Sequence, residues 1–228
     1  MDETITIADG LRIALRRSAR ARRMILRVPR DGGDPVLTLP SRVALAEGLA
    51  FAEARVGWLR EATARRPGPR RVEAGVLLPV EGLPRRLMPA SERAARLEPD
   101  RLLIPQGRPP GPVVQGYLKH LAHDRLRLAC DRHAAALGRQ VRAISLRDTR
   151  SRWGSCTADG RLMFSWRLAM APPQVLDYVA AHEVAHLAHM DHSPRFWATV
   201  ERLMPGHGPH RAWLRQNGAD LMVWKFRD

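Results

Sequence analysis

Apolar and polar residues alternate from the start of the chain. Ile5 and Ile7 are followed by Leu11, Ile13 and Leu15, with Asp9-Gly10 between them. That pattern predicts a β-hairpin with a favoured turn. Met24, Leu26 and Val28 keep the period of two and predict a third strand, and Pro35–Leu39 a fourth. The period then lengthens. Leu45, Leu49, Ala52, Val56 and Leu59 form a helical stripe opened by Ser41 and stopped by Arg66-Pro67-Gly68-Pro69. Residues 72–104 are short apolar pieces cut by Gly and Pro, which read as strands and turns.

The run Pro105-Gln106-Gly107-Arg108-Pro109-Pro110-Gly111-Pro112 cannot be a helix interior or a central strand. It sets the expected boundary between a β-rich domain, 1–108, and a second domain, 109–228. Val114, Leu118, Leu121 and Leu128 then predict a long helix ending near Gly138. Next come a strand around Ile144 and Leu146, a loop at Trp153–Cys156, a turn at Asp159-Gly160 and an alternating strand over 161–168. Pro172-Pro173 opens a helix carrying Val175, Leu176, Val179 and Leu187. Asp191-His192-Ser193-Pro194 breaks it, and Ser193 caps a second helix bearing Phe196, Val200 and Leu203. A last helix, His210–Gln216, stops at Asn217-Gly218. The expected class is α+β: a β-rich N-terminal region with one helix, then a small sheet with helices. No internal repeat interrupts this order.

The helix after Pro173 contains His182-Glu183-Val184-Ala185-His186. Histidines four apart project from one helical face about a turn apart, so two imidazoles can share one zinc ion. The Glu beside the first can then act on a water. Catalytic zinc takes three protein ligands and keeps one open position. His192, beyond the break, is the natural third. His189 lies about 10 Å of rise along an unbroken helix from His182 and is a poorer third ligand. The bland alternative is a surface helix rich in His. Cys156 reads as a packed thiol before a ligand, His207 and His210 as surface residues, and Trp153, Trp166 and Trp197 as core. Arg152 is a candidate contact for an oxyanion or an acidic group, with a structural ion pair as the favoured alternative.

The run His182–His192, continued by Ser193-Pro194-Arg195-Phe196-Trp197, resembles the YgjP-like metallopeptidases, relatives of the SprT-like and WLM peptidases. A second block agrees: Arg152-Trp153-Gly154-Ser155-Cys156, Phe164-Ser165-Trp166-Arg167-Leu168 and Asp177-Tyr178-Val179. The resemblance is specific over roughly 140–217. It implies a zincin-like catalytic domain, Zn²⁺ held by His182, His186 and His192, Glu183 as general base and acid, and a protein or peptide substrate. Arg152, Trp153 and Ser165 are the candidate substrate contacts. Metzincins share the His spacing, but His189 stands where they carry Gly, and the chain has no convincing Met-turn.

Charge adds a second theme. Lys+Arg number 38 against 23 Asp+Glu, a net +15, and every cation but Lys119 and Lys225 is Arg. Such a field attracts polyanions, so weak nucleic-acid or nucleotide binding through an Arg-rich surface is an expectation. The favoured alternative is compositional bias with solvated Arg. The densest run is Arg16–Arg30. Two cysteines give no disulfide framework. No stretch approaches the ~20 apolar residues that cross a bilayer, and the acidic, alternating start does not read as a leader, so the cytoplasm is the default location. The leading function is zinc-dependent peptide hydrolysis. Its competitors are a metal-dependent nucleoside triphosphate hydrolase, a SprT-like protease acting on DNA-bound proteins, and a basic nucleic-acid module with a structural metal. The sequence leaves the oligomeric state open.

Overall fold

The computed structural model describes residues 3–7, 10–29, 33–64, 68–149 and 151–227. The expected turn residue Asp9, the end of the basic run at Arg30 and the helix stop at Arg66-Pro67 lie outside the described residues. Two compact units emerge, Met1–Pro69 and Arg70–Asp228.

In the first unit, β1 (Glu3–Ile7), β2 (Leu11–Ser18), β3 (Ile25–Arg27) and β4 (Val36–Pro40) make one sheet in the order β1-β2-β4-β3. β2 runs parallel to β4, and the other pairs are antiparallel. Period-two alternation sends Ile13, Leu15, Leu37 and Leu39 to one face, where they are buried. The single helix expected over this stretch is two: α1 (Leu45–Glu53) and α2 (Val56–Ala64). The buried positions are Gly48, Ala52 and Leu59, while Leu45 stays exposed. Gly48 is needed there, because a Cβ would stand 2.7 Å from the Leu39 methyls. The helix therefore meets the sheet through its smallest residues, and the chain turns at Ala54 to bring Leu59 onto the same core.

The second unit opens with β5 (Arg70–Arg71), β6 (Leu77–Val80), β7 (Leu83–Ala90), β8 (Arg96–Leu97) and β9 (Arg101–Pro105). The last four form a sheet in the order β6-β7-β9-β8. Helix α3 (Pro110–Leu137) follows and ends in Gly138, which takes the left-handed conformation at φ 65°. Next come β10 (Ala143–Arg147), β11 (Gly154–Cys156) and β12 (Arg161–Ser165), a sheet in the order β10-β12-β11. A 3₁₀ turn, Trp166–Met170, leads into α4 (Pro173–Ala185), then α5 (Pro194–Leu203), α6 (Gly208–Met222) and β13 (Trp224–Lys225), which pairs parallel with β5.

The unit boundary therefore falls at Pro69, not at residue 108. Leu78, Val80, Leu87, Leu102 and Ile104 share one core with Val114 and Leu118 of α3 and with Val175 and Val179 of α4. The β6–β7 turn docks on the 3₁₀ segment: Glu81 N–H donates to Ala169 O at 2.8 Å and Gly82 N–H to Met170 O at 3.1 Å. Gly82 has φ 79°, and a Cβ there would meet the Pro172 Cα at 2.9 Å. The proline-rich run proves to be a tight connection, with Pro110 in the first turn of α3, where its missing N–H costs nothing.

Two further expectations shift. The strand predicted over 161–168 stops at Ser165, because Trp166 and Leu168 turn inward and are fully buried. The last helix does not stop at Asn217-Gly218 but runs through both. Asn217 Nδ2 donates back to Trp213 O at 3.0 Å, and Gly218 makes room for Trp153, whose Cζ2 would lie 2.9 Å from a Cβ. Arg167 clamps this end of the chain. Its buried guanidinium donates to Leu221 O and Trp224 O and pairs with Asp148 at 2.8 Å.

Candidate metal centre

Helix α4 passes through the core of the second unit and presents one face to the site. Behind it, Asp177 accepts from His133 Nε2 of α3 at 2.8 Å and from Arg132. Burial raises the Asp177 carboxyl, but the hydrogen bond and charge of His133, joined by Arg132, outweigh it and leave the pKa lowered. One turn and a half further along come His182 and Glu183, and His186 closes the helix as its C-cap. The chain then reverses. Ser193 Oγ accepts from Phe196 N–H at the start of α5, with Pro194 in the first turn, as the sequence predicts. Ser193 N–H donates to Asp191 Oδ1 at 3.1 Å, which fixes the turn carrying His192.

That turn returns His192 to the helix. His182, His186 and His192 each place a ring nitrogen within 4.8 Å of the others, and His182 Nε2 lies 3.2 Å from His192 Nε2. Two nitrogens bound to one tetrahedral zinc would be separated by about 3.3 Å, given Zn–N bonds of roughly 2.0–2.1 Å. The donor set and this edge fit a zinc ion. His186 donates from Nδ1 to His189 O at 2.9 Å, which leaves Nε2 for the shared centre and supplies the outer hydrogen bond such a ligand needs. Nδ1 of His182 is buried with no partner among the described residues. Phe196 forms the floor, with its ring 4.9, 4.5 and 4.8 Å from the three imidazoles.

Electrostatics favour the neutral form of His182 and His186. Burial, then the neighbouring His186 and His192, push His182 down to about 3. Burial also lowers His186, against the hydrogen bond to His189. Glu183 is buried beside this cluster, and burial raises it to about 8, with the Arg152 charge opposing. The strand β11 passes across its carboxylate. A Cβ on Gly154 would stand 2.6 Å from Glu183 Cγ and Cδ, so only glycine lets the strand come this close.

The other sequence candidates separate. His189 is outside the imidazole cluster and contributes its carbonyl. Cys156 is also outside it, with its thiol raised by burial to about 11. Arg152 is exposed and joins no ion pair among the described residues; its charge acts on Glu183. Trp153 is half-buried under α6. Ser165 is fully buried, so it cannot touch a substrate; the strand turns inward at this residue. His207, read from sequence as a surface residue, is only 14% exposed. It stacks between Tyr178 and Trp197 at 5.6 and 5.9 Å and bonds Glu201 at 2.8 Å. Its Gly/Pro-rich setting gave no periodic signal. Gly154 was legible only as part of the Trp153–Cys156 block.

No curated protein matches the chain. Among solved structures, a crystal structure of the metallopeptidase zymogen of Pyrococcus abyssi abylysin is similar, at 23% identity over 42% of this chain and 92% of that one, with a TM-score of 0.35. The family model described as YgjP-like, metallopeptidase domain, matches residues 22–217. That span takes in the His cluster, Glu183 and Gly154, and the chain belongs to the YgjP-like metallopeptidases.

Proposed function

We propose that the protein is a zinc-dependent peptidase in which His182, His186 and His192 hold the metal and Glu183 moves the proton. The convergence of three imidazoles on one point, beside a buried carboxylate, carries this reading. Zinc there would supply a Lewis acid that polarises the scissile carbonyl and brings a water's pKa toward ~7. Glu183 takes the proton of the attacking water and returns it to the amine nitrogen as the peptide bond breaks. Burial raises that carboxyl in the metal-free protein, and a zinc charge beside it would act in the opposite direction, toward the ionised base the first step needs. Gly154 lets β11 lie directly against that carboxylate.

β12 is central, paired with β10 on one side and β11 on the other, so it has no edge to offer. β11 is an edge strand of this sheet and passes Glu183, so an extended substrate backbone would pair along it.

The experiment is metal analysis with turnover on casein-like proteins, DNA-bound proteins and nucleoside triphosphates. Glu183→Gln is expected to retain one zinc per chain and to lose ~10²–10⁴-fold in rate. His192→Ala should lose both metal and activity, and His189→Ala should keep most of each. Near-normal turnover by the Gln variant, or metal loss confined to the His189 variant, would overturn the assignment.

A further inference from the structure

The three imidazoles and Glu183 all belong to the second unit, and the densest positive charge along the sequence belongs to the first. Residues 10–29 contain Arg12, Arg16, Arg17, Arg20, Arg22, Arg23 and Arg27 and no Asp or Glu. The sheet sorts them in space. Helices α1 and α2 cover the face bearing Ile13, Leu37 and Leu39, so the even positions of β2 point to the other face. Register places Arg16, Thr38 and Ile25 in one row across β2, β4 and β3, and Thr4, Ala14, Val36 and Arg27 in the next. Arg20, Arg22 and Arg23 lie in the β2–β3 turn, at the end of the same strands, and all are exposed.

Pairing matters as much as placement. Arg12 meets Asp34 at 3.2 Å, and Arg17 donates to Val43 O at 3.0 Å. Arg16, Arg20, Arg22, Arg23 and Arg27 join no ion pair or side-chain hydrogen bond among the described residues. Five guanidiniums with no ion pair among the described residues thus border a face whose centre is small: Thr4, Thr6, Ala14, Val36 and Thr38.

We propose that this face and its turn bind the phosphate backbone of double-stranded nucleic acid without reading its sequence. The guanidinium fork matches phosphate oxygens, and Thr and Ser hydroxyls can add contacts that carry no sequence information. A protein partner would need an apolar anchor, and Ile25 is the only large apolar side chain exposed in these rows. Single strands are held by aromatic stacking. The aromatics of this unit, Phe51 and Trp58, lie on α1 and α2, away from the Arg face.

The test is fluorescence anisotropy of the full chain, without metal or peptide, on a labelled 30-bp duplex as DNA and as RNA, from 50 to 200 mM KCl. Three to five phosphate contacts predict a log–log salt slope of about −3 to −5, a loss on the order of 10²-fold across that range. Changing Arg16, Arg20, Arg22, Arg23 and Arg27 to Gln should weaken binding and flatten the slope by about one for each contacting Arg. A charge-matched control changes Arg139, Arg147, Arg202, Arg215 and Arg227, all exposed in the second unit, to Gln and should leave the slope unchanged. Thermal melting checks folding, and the pair Arg22→Gln, Arg23→Gln repeats the test in the turn alone. Tighter binding of DNA or of RNA names the natural duplex. Absence of binding at 50 mM salt, equal loss in the control, preference for a single strand, or equal capture of polyglutamate would overturn the proposal. None of these readouts depends on peptidase activity.

Discussion

At the residue scale, His182 and Glu183 are adjacent in sequence and displaced in opposite directions from their ordinary pKa values. Both shifts come first from burial, which disfavours whichever form is charged. For His182, lowered to about 3 from 6.5, the stabilising contribution is present above pH 6.5 and is lost as pH falls toward 3. For Glu183, raised to about 8 from 4.5, it is present below 4.5 and is lost as pH rises through 8. Between pH 6.5 and 8.5 the Glu183 effect is the larger change, because that of His182 is already nearly complete. The metal-free protein is therefore expected to melt at a lower temperature at pH 8.5 than at pH 6.5, and Glu183→Gln should flatten that limb. A wild-type melting temperature that is level or rising over the interval would contradict the buried, neutral carboxyl. The motif itself was legible in the sequence because four-residue spacing has one meaning on a helix. The neutral pair was not, because burial is a property of everything packed around it.

At the element scale, the site is the meeting of a helix, a turn and an edge strand. α4 supplies two imidazoles and the carboxylate, the Ser193-capped turn supplies the third imidazole, and β11 lies against the carboxylate at Gly154. Gly154→Ala is expected to keep the fold and the metal and to lower the turnover rate. The added methyl must displace Glu183 or the strand, and overpacking of this kind costs ~1–3 kcal/mol. Parallel metal analysis and kinetics check it, and unchanged turnover would show that the close packing of β11 on Glu183 plays no part in catalysis. The openings of α4 at Pro173 and of α5 at Ser193-Pro194 were readable, since those residues act locally, whereas Ser41 opens no helix: α1 starts at Leu45, behind Ala44. The ends of β12 and α6 were not. Ser165 begins a turn that buries Trp166, and Gly218 serves Trp153 from a distant part of the chain, so tertiary packing overrode the local signal.

At the scale of the molecule, each unit has its own core and the two share no residue. The three clustered imidazoles, Glu183 and their supports, from the β6–β7 turn to the β5–β13 pair, all belong to Arg70–Asp228. That fragment is expected to fold cooperatively and bind one metal ion, while losing the salt-sensitive duplex binding assigned to the sheet face. A fragment that is unfolded by circular dichroism would show that its core is incomplete. The proline-rich run misled the boundary reading because Pro suits both a linker and the first turn of a helix, and only the core shared by Leu78, Leu102 and Leu118 separates the two. Among the described residues no helix is long and apolar enough to cross a membrane.

The face between Arg16 and Arg27 has one more property. A guanidinium keeps its proton beyond pH 12, and the enzymes that acylate lysine do not act on it. With Lys119 and Lys225 the only amine side chains in the chain, neither acidity nor lysine acylation can switch that face off. What it holds is released by ions and competing polyanions, so its occupancy would report the ionic strength and nucleic-acid content of its surroundings rather than pH or the acylation state of lysines.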